Sequence, residues 1–282
     1  MARRGPDSKG EVFALIGRHW FRRRPRSEEA PVTNLFAGDE TRAPSYQNAV
    51  DAIPGWNCHF PVEYGLTAGR LPAFHDPRMI WTAERYGDLT DRKVLELGPL
   101  EAAHTYMLAK AGAHVDAVEA NRLAFLKCLV TREILDFPNA RFYLGDFVQW
   151  LEQTQKRYDL IVASGVLYHM REPLRLLRAM SERADALYLW TVMVDDDKLA
   201  HSATQRFEGL DVRLYARGYG DRSVAFCGGS MDFPNWMHRD DILAVLGALG
   251  YADITVLTDV RGESGNVLPT FSVFARRSPA VG

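Results

Sequence analysis

Between residues 93 and 194 the chain alternates short apolar runs with segments of helix length, and this rhythm restricts the fold more than any other feature. KVLELG, HVDAVE, RFYLGD, YDLIVASG and ALYLWTVMV read as strands. AHTYMLAKAG, RLAFLKCLVTREIL, DFVQWLEQT and EPLRLLRAMSER fall between them and read as helices. A helix between successive strands implies right-handed crossovers and a parallel sheet. The strand segments are rich in Val, Ile, Leu and Tyr, as expected for strands covered on both faces. Further on, HRDDILAVLGALG reads as a helix, and DITVLTD and TFSVFAR as two last strands about ten residues apart. That gap is too short for a crossover helix, so this pair is expected to run antiparallel.

A chain of 282 residues suits one such α/β domain with additions. The 47% apolar content supports a sizeable core, and the net charge of −2 gives no strong overall attraction to nucleic acid or membrane. Cys58, Cys128 and Cys227 are few and far apart, which argues against a disulfide framework and fits a reducing, cytoplasmic setting. No apolar run approaches the ~18 residues of a membrane span. EVFALIGRHWFRRR carries its charges after the apolar patch, so it does not read as a signal peptide.

Residues 1–44 read as a basic arm followed by a linker. Eight Lys and Arg residues within 1–26 face only Asp7 and Glu11, a composition that suits either an RNA- or acidic-membrane-touching arm or a solvated terminus. Residues 45–90 read as a helical extension, with SYQNAVDAI and DPRMIWTAERYG as short helices and Asp76-Pro77 as a helix start. Residues 91–282 form the main domain. Its segment 195–236, with Phe207, Tyr215, Tyr219, Phe226, Phe233 and Trp236, is too long for an ordinary connection and is expected to cover an acceptor site, or to be a packed accessory hairpin.

In an open α/β sheet ligands bind beyond the carboxyl ends of the strands, so the loop after KVLELG is the first candidate site. A dinucleotide loop would carry three glycines, and here Gly98 is followed by Pro99, Leu100, Glu101, Ala102 and Ala103. Leu100 and Ala103 would crowd a diphosphate. An NAD-dependent oxidoreductase is therefore disfavoured.

Four stretches resemble the class I S-adenosylmethionine-dependent methyltransferases. Val94-Leu95-Glu96-Leu97-Gly98 is similar to that family's first motif, with Glu96 buried in a strand where an acid needs a partner such as the cofactor's ammonium. Glu119 follows 23 residues later, in AVEAN, where the family holds the ribose hydroxyls. Gly145-Asp146-Phe147 ends the third strand, where the family sets an acid on the adenine amino group. Ser164-Gly165-Val166-Leu167-Tyr168-His169 resembles the stretch lining the methionine end, and GVLYH followed by Pro173 is similar to the branch that includes tRNA wobble-uridine carboxymethyltransferases. The resemblance implies a Rossmann-like, doubly wound seven-stranded sheet, mostly parallel with a C-terminal antiparallel hairpin. It also implies S-adenosylmethionine as cofactor, held by Glu96, Gly98, Pro99, Glu119, Ala120, Asn121, Gly145, Asp146, Phe147, Ser164 and Gly165.

Each of these acids also has a structural reading: Glu119 and Asp146 stand where helix caps occur, and Phe147 where core packing occurs. Adenosylmethionine carries no phosphate, so a loop with one glycine and two alanines is compatible with it. Methyl transfer to a sugar hydroxyl calls for a base, and His169, with Tyr168 beside it, is the best-placed residue; both could instead simply wall the pocket. Asp195-Asp196-Asp197 reads as a solvated turn, and no metal is expected. The expected activity is methyl transfer to a hydroxyl or amine of a small-molecule or glycan-like acceptor. A tRNA-modifying enzyme and a non-catalytic cofactor-binding protein are the alternatives.

Overall fold

The computed structural model describes residues 38–218, 233–261 and 268–278. The basic arm, together with Tyr219, Phe226 and Cys227, lies outside the described residues.

The extension supplies α1 (Tyr46–Asp51) and α2 (Pro77–Tyr86), joined through two short 3-10 turns. Both helices start as the sequence dictates. Ser45 accepts the Asn48 N–H, and Asp76 accepts the Arg78 N–H with Pro77 in the first turn. The alternating region follows: β1 (Lys93–Leu97), α3 (Ala103–Lys110), β2 (His114–Glu119), α4 (Arg122–Leu135), β3 (Ala140–Leu144), α5 (Phe147–Gln153), β4 (Leu160–Ser164), α6 (Pro173–Ser181) and β5 (Ala186–Val192). After β6 (Ala203–Phe207), β7 (Leu210–Ala216) and β8 (Asn235–Met237) come α7 (Arg239–Ala248), β9 (Asp253–Val260) and β10 (Thr270–Arg276).

The seven-stranded sheet has the order β3-β2-β1-β4-β5-β10-β9. Its first five strands are parallel, and β10 runs antiparallel to both β5 and β9, so the expected Rossmann-like sheet with its terminal hairpin is present. The strand order reverses between β1 and β4. That switch point opens the crevice where ligands bind in such sheets.

Because successive side chains point to opposite faces, each central strand feeds two cores. Leu95, Ile161, Leu187 and Phe271 pack with Leu151 of α5, Leu177 of α6 and Val245 of α7. Val94, Val162, Tyr188 and Phe274 pack on the other face with Val50 of α1, Met79 of α2, Leu108 of α3 and Cys128 of α4. The extension therefore forms part of a core, covering the face toward which Glu96 points by the same alternation. Among the described residues no helix is long and apolar enough to cross a membrane.

The 195–236 segment contributes a second sheet of three antiparallel strands in the order β6-β7-β8. This departs from a simple hairpin. Trp236 pairs with Tyr215 in register, and Asn235 N–H donates to Met170 O (2.8 Å), so the small sheet sits against the turn that follows β4.

Candidate functional site

The loop from β1 to α3 sits at the switch point, and its backbone is unusual. Gly98, Leu100 and Ala102 all adopt left-handed conformations, with φ of 65°, 58° and 64°. Side-chain-bearing residues pay roughly 1–2 kcal/mol for that region, because Cβ crowds the following carbonyl. Gly98 has a second constraint: a Cβ there would lie 2.9 Å from Val166 Cγ1. The loops after β1 and β4 therefore approach closely at this point. The sequence shows only one glycine, so the alternating left-handed pattern at 98, 100 and 102 was not visible in it.

Two carboxylates stand at the carboxyl ends of adjacent strands. Glu119, at the end of β2, is buried, and it accepts N–H groups from Leu100 (3.1 Å) and Asn121 (2.8 Å). It thus joins the loops after β1 and β2. A carboxylate has about four acceptor positions; Leu100 and Asn121 take two and the Ala120 N–H also acts on it, so acceptor capacity remains for a ligand. Glu96 is 2% exposed and accepts the Thr105 hydroxyl, while His104 Nδ1 stands 4.0 Å from its other oxygen. Burial pushes both carboxyls above their ordinary range. The proximity of Glu119 raises Glu96 further, against the lowering influence of His104 and Thr105. A cation beside Glu96 and a pair of hydroxyls on Glu119 would both relieve desolvated charge.

The remaining candidates divide by location. Asn121 caps α4 by accepting the Ala124 N–H, and both Asn121 and Ala120 are exposed at the rim. Asp146 is exposed and caps α5 through the Val148 N–H, leaving its Oδ2 only a long contact to Gln149 (3.5 Å). Phe147 is buried in the core with Leu97 and Val118. Pro99 is buried, and its carbonyl accepts the Ala102 N–H. Gly145 N–H donates to the Glu119 carbonyl, and a Cβ on Gly145 would meet open space. Beside it Leu144, in register with Glu119, is 49% exposed, an apolar surface the sequence reading passed over.

Ser164 ends β4, and Gly165 (φ 87°) turns the chain against the Trp190 ring, 3.4 Å from where its Cβ would stand. Tyr168 is buried and meets Trp190 edge-on at 6.0 Å. Its ring lies 4.1 Å from that of His169. Burial pulls the His169 imidazole down to about 4, so it is neutral at pH 7. Asp195, Asp196 and Asp197 do not converge: Asp196 caps the turn at Lys198, while Asp197 approaches Arg213 (3.2 Å) and His238 (3.3 Å).

Two buried networks tie the extension to this site. Glu101, with no exposed surface, accepts the N–H groups of Asn57 (2.8 Å) and Cys58 (2.7 Å) and pairs with Lys127 Nζ (2.9 Å). Lys127 also donates to Gly55 O (2.6 Å) and lies 5.4 Å from the Trp56 ring. In the second network Asp76 accepts from Arg78 (2.5 Å) and lies 2.9 Å from His104 Nε2, which leads on to Glu96. Burial pushes the Asp76 carboxyl up, but the Arg78 charge and the His104 contact outweigh it and hold the group well below the usual carboxylate range. The Arg78 guanidinium stands 4.7 Å from the Trp190 ring. Among these residues Asp76 was legible in the sequence, as a helix start, but its pairing with His104 and the Glu101–Lys127 pair were not.

A cleft of about 660 Å³ lies at the opposite ends of the strands, lined by Lys93, His114, Asp116, Arg141, Lys156 and Tyr158. It holds none of the residues above, and sheets of this kind bind ligands at the carboxyl ends, so the crevice at the switch point is the candidate site.

No family model matches the chain. The chain is similar to solved structures of the N-terminal domain of EvdMO1. One, in the presence of S-adenosylhomocysteine (SAH) and D-fucose, is 22% identical with a TM-score of 0.66, over 82% of this chain and 95% of that one. Another, with SAH bound, is 21% identical with a TM-score of 0.67 over the same shares. Against the longer EvdMO1 structure the match spans 82% of this chain and 46% of that one, at 20% identity and a TM-score of 0.57. The fold is thus shared with an SAH-binding domain.

Proposed function

We propose that the protein is an S-adenosylmethionine-dependent methyltransferase acting on a hydroxyl of a glycan-like acceptor. The observation that carries this reading is the pair of buried acids, Glu96 and Glu119, at the ends of adjacent strands on a fold shared with an SAH-binding domain. Glu119 keeps acceptor capacity for a ribose hydroxyl, and hydrogen bonds to a carboxylate are the stronger kind. Glu96 offers a buried negative charge to an ammonium. Leu144 presents an apolar surface to the adenine, and Asp146 keeps Oδ2 for its amino group. Gly98, Pro99 and Gly165 supply close backbone, with Ala120, Asn121, Gly145 and Ser164 at the rim and Phe147 packed beneath.

The cofactor supplies an electrophilic methyl group on a sulfonium; the acceptor oxygen forms the new C–O bond as the C–S bond breaks, and that electron pair stays on sulfur. The protein positions the acceptor and excludes water. His169, neutral at pH 7, accepts the hydroxyl proton on an imidazole nitrogen. A weak base suffices, because the hydroxyl becomes strongly acidic as the C–O bond forms. Tyr168 packs on the imidazole and is itself backed edge-on by Trp190. A sugar acceptor is supported by the likeness to a domain crystallised in the presence of D-fucose.

The tRNA reading rests on the GVLYH likeness and on residues 1–26. Salt-sensitive tRNA binding that disappears with that arm would favour it. The direct test of the main reading is transfer of labelled methyl from S-adenosylmethionine to a panel of monosaccharide glycosides, compared with His169→Ala. Label in a sugar product, lost in the variant, supports the reading; label only in RNA or protein refutes the acceptor class.

A further inference from the structure

Two arginines flank the turn that carries the candidate base, and among the described residues neither makes an ion pair. Arg171 follows His169 by two positions, and its guanidinium lies 5.0 Å from the Phe233 ring. Arg217 follows β7, and its guanidinium lies 5.1 Å from the Trp236 ring. The two are held on one framework. Arg217 N–H donates to Pro234 O (3.0 Å), Asn235 N–H to Met170 O, and the Asn235 side chain to Arg171 O (2.7 Å). Trp236 in turn packs on the cluster containing Tyr168 and Trp190.

Other arginines of the small sheet and its neighbours are neutralised. Arg213 is matched by Asp241, Arg178 by Glu208 and Arg239 by Asp259. Arg217 differs: its Nε is buried and makes no hydrogen bond among the described residues. A guanidinium laid on an aromatic ring keeps its N–H fork pointing outward in its own plane, the geometry that grips a carboxylate or phosphate with two bonds. The Trp236 and Phe233 rings beneath the two guanidiniums are half-buried and so leave part of their apolar surface exposed beside them. Among the described residues these two cations have no acidic partner, and a neutral sugar would not call for them.

We infer that the acceptor is an acidic saccharide, whose carboxylate or phosphate is held by Arg171 and Arg217 while its ring lies on Trp236 or Phe233. This rests on the methyl-transfer reading and adds to it the charge of the substrate. The anion fixes the sugar at a point remote from the reacting hydroxyl and so sets which hydroxyl faces His169.

The test uses the full chain with SAH added. Three probes share one ring: methyl β-D-glucoside, the corresponding glucuronide, and the glucoside 6-phosphate. Binding is read by saturation-transfer NMR and calorimetry, in the wild type, in Arg171→Gln/Arg217→Gln, and in the Lys/Lys counterpart. The expected result is a preference of about tenfold or more for one anionic probe over the neutral one, a difference well resolved by either method. That preference falls to near unity in the Gln/Gln variant and is partly kept in the Lys/Lys variant, while SAH affinity stays unchanged in all three proteins. Which anion binds separates a uronic acid from a sugar phosphate. Equal binding of neutral and anionic probes overturns the inference, as does a preference that survives in the Gln/Gln variant, or no binding by either anion. Failure of the wild type to bind SAH, measured first and without sugar, would instead remove the methyl-transfer reading.

Discussion

Replacing Glu101 by Leu isolates what attaches the extension to the cofactor loop. In the native protein this carboxylate accepts the N–H groups of Asn57 and Cys58 and pairs with Lys127. The Lys127 side chain is 5% exposed and that of Glu101 fully buried, so solvent screens the pair little. Removing one member of a buried pair costs about 3–5 kcal/mol, because the other charge stays behind without a partner. The Asn57 and Cys58 N–H groups lose their acceptor as well, so at least the lower end of that range is expected. Out of a total of roughly 5–15 kcal/mol, this is a large fraction of stability. Urea unfolding followed by tryptophan fluorescence reports it, since Trp56 lies on the Lys127 ammonium. A second substitution, Lys127→Met, removes the stranded charge and should recover part of the loss. A loss below about 1 kcal/mol, the level of an exposed pair, would refute the argument. So would a double variant as unstable as the single one.

Three further outcomes follow from the site. Glu96→Gln should weaken SAH binding at least about tenfold while leaving the ligand-free protein as stable or more stable at pH 7. The sign follows from the raised folded-state pKa: ionising Glu96 disfavours the native state, so the variant's advantage in urea unfolding should be absent at low pH and grow as pH rises past the ordinary carboxylate range. His169→Ala should lower turnover by about 10²–10⁴ with SAH affinity unchanged, and wild-type turnover should show no His169 inflection between about pH 6 and 8, since the imidazole protonates only near 4. Gly98→Ala should destabilise by about 1–2 kcal/mol from its left-handed backbone alone; Val166→Ala in the same chain should relieve the steric contact but not that strain, which thermal unfolding of the pair would show.

The seven-stranded sheet was legible because runs such as LIVAS and ALYLWTV are short, apolar on both faces and regularly separated by segments of helix length. Helix starts at Asp76-Pro77 and Asp146 were legible too, because capping is a local interaction; at α4 the cap is Asn121 and not the strand-end acid Glu119. The small sheet was not. In β6 four of five residues are exposed, so ATQRF carries no apolar period, and β8 is only three residues long. The positions of Glu96 and Glu119 could be read from strand ends. The partners that hold the site could not, since Glu101 reaches residues 44 and 26 positions away. The loop conformation was hidden for a different reason: Leu100 and Ala102 occupy backbone states that their side chains disfavour, and only tertiary contacts impose them.

The central claim, that the crevice between Glu96 and Glu119 binds the adenosylmethionine skeleton, is tested most directly by calorimetric titration with SAH, with NAD as control and Glu119→Ala alongside. SAH is expected to bind at micromolar concentration and NAD not at all, and the variant is expected to lose SAH binding. Silence with SAH, or binding that Glu119→Ala leaves untouched, would contradict it.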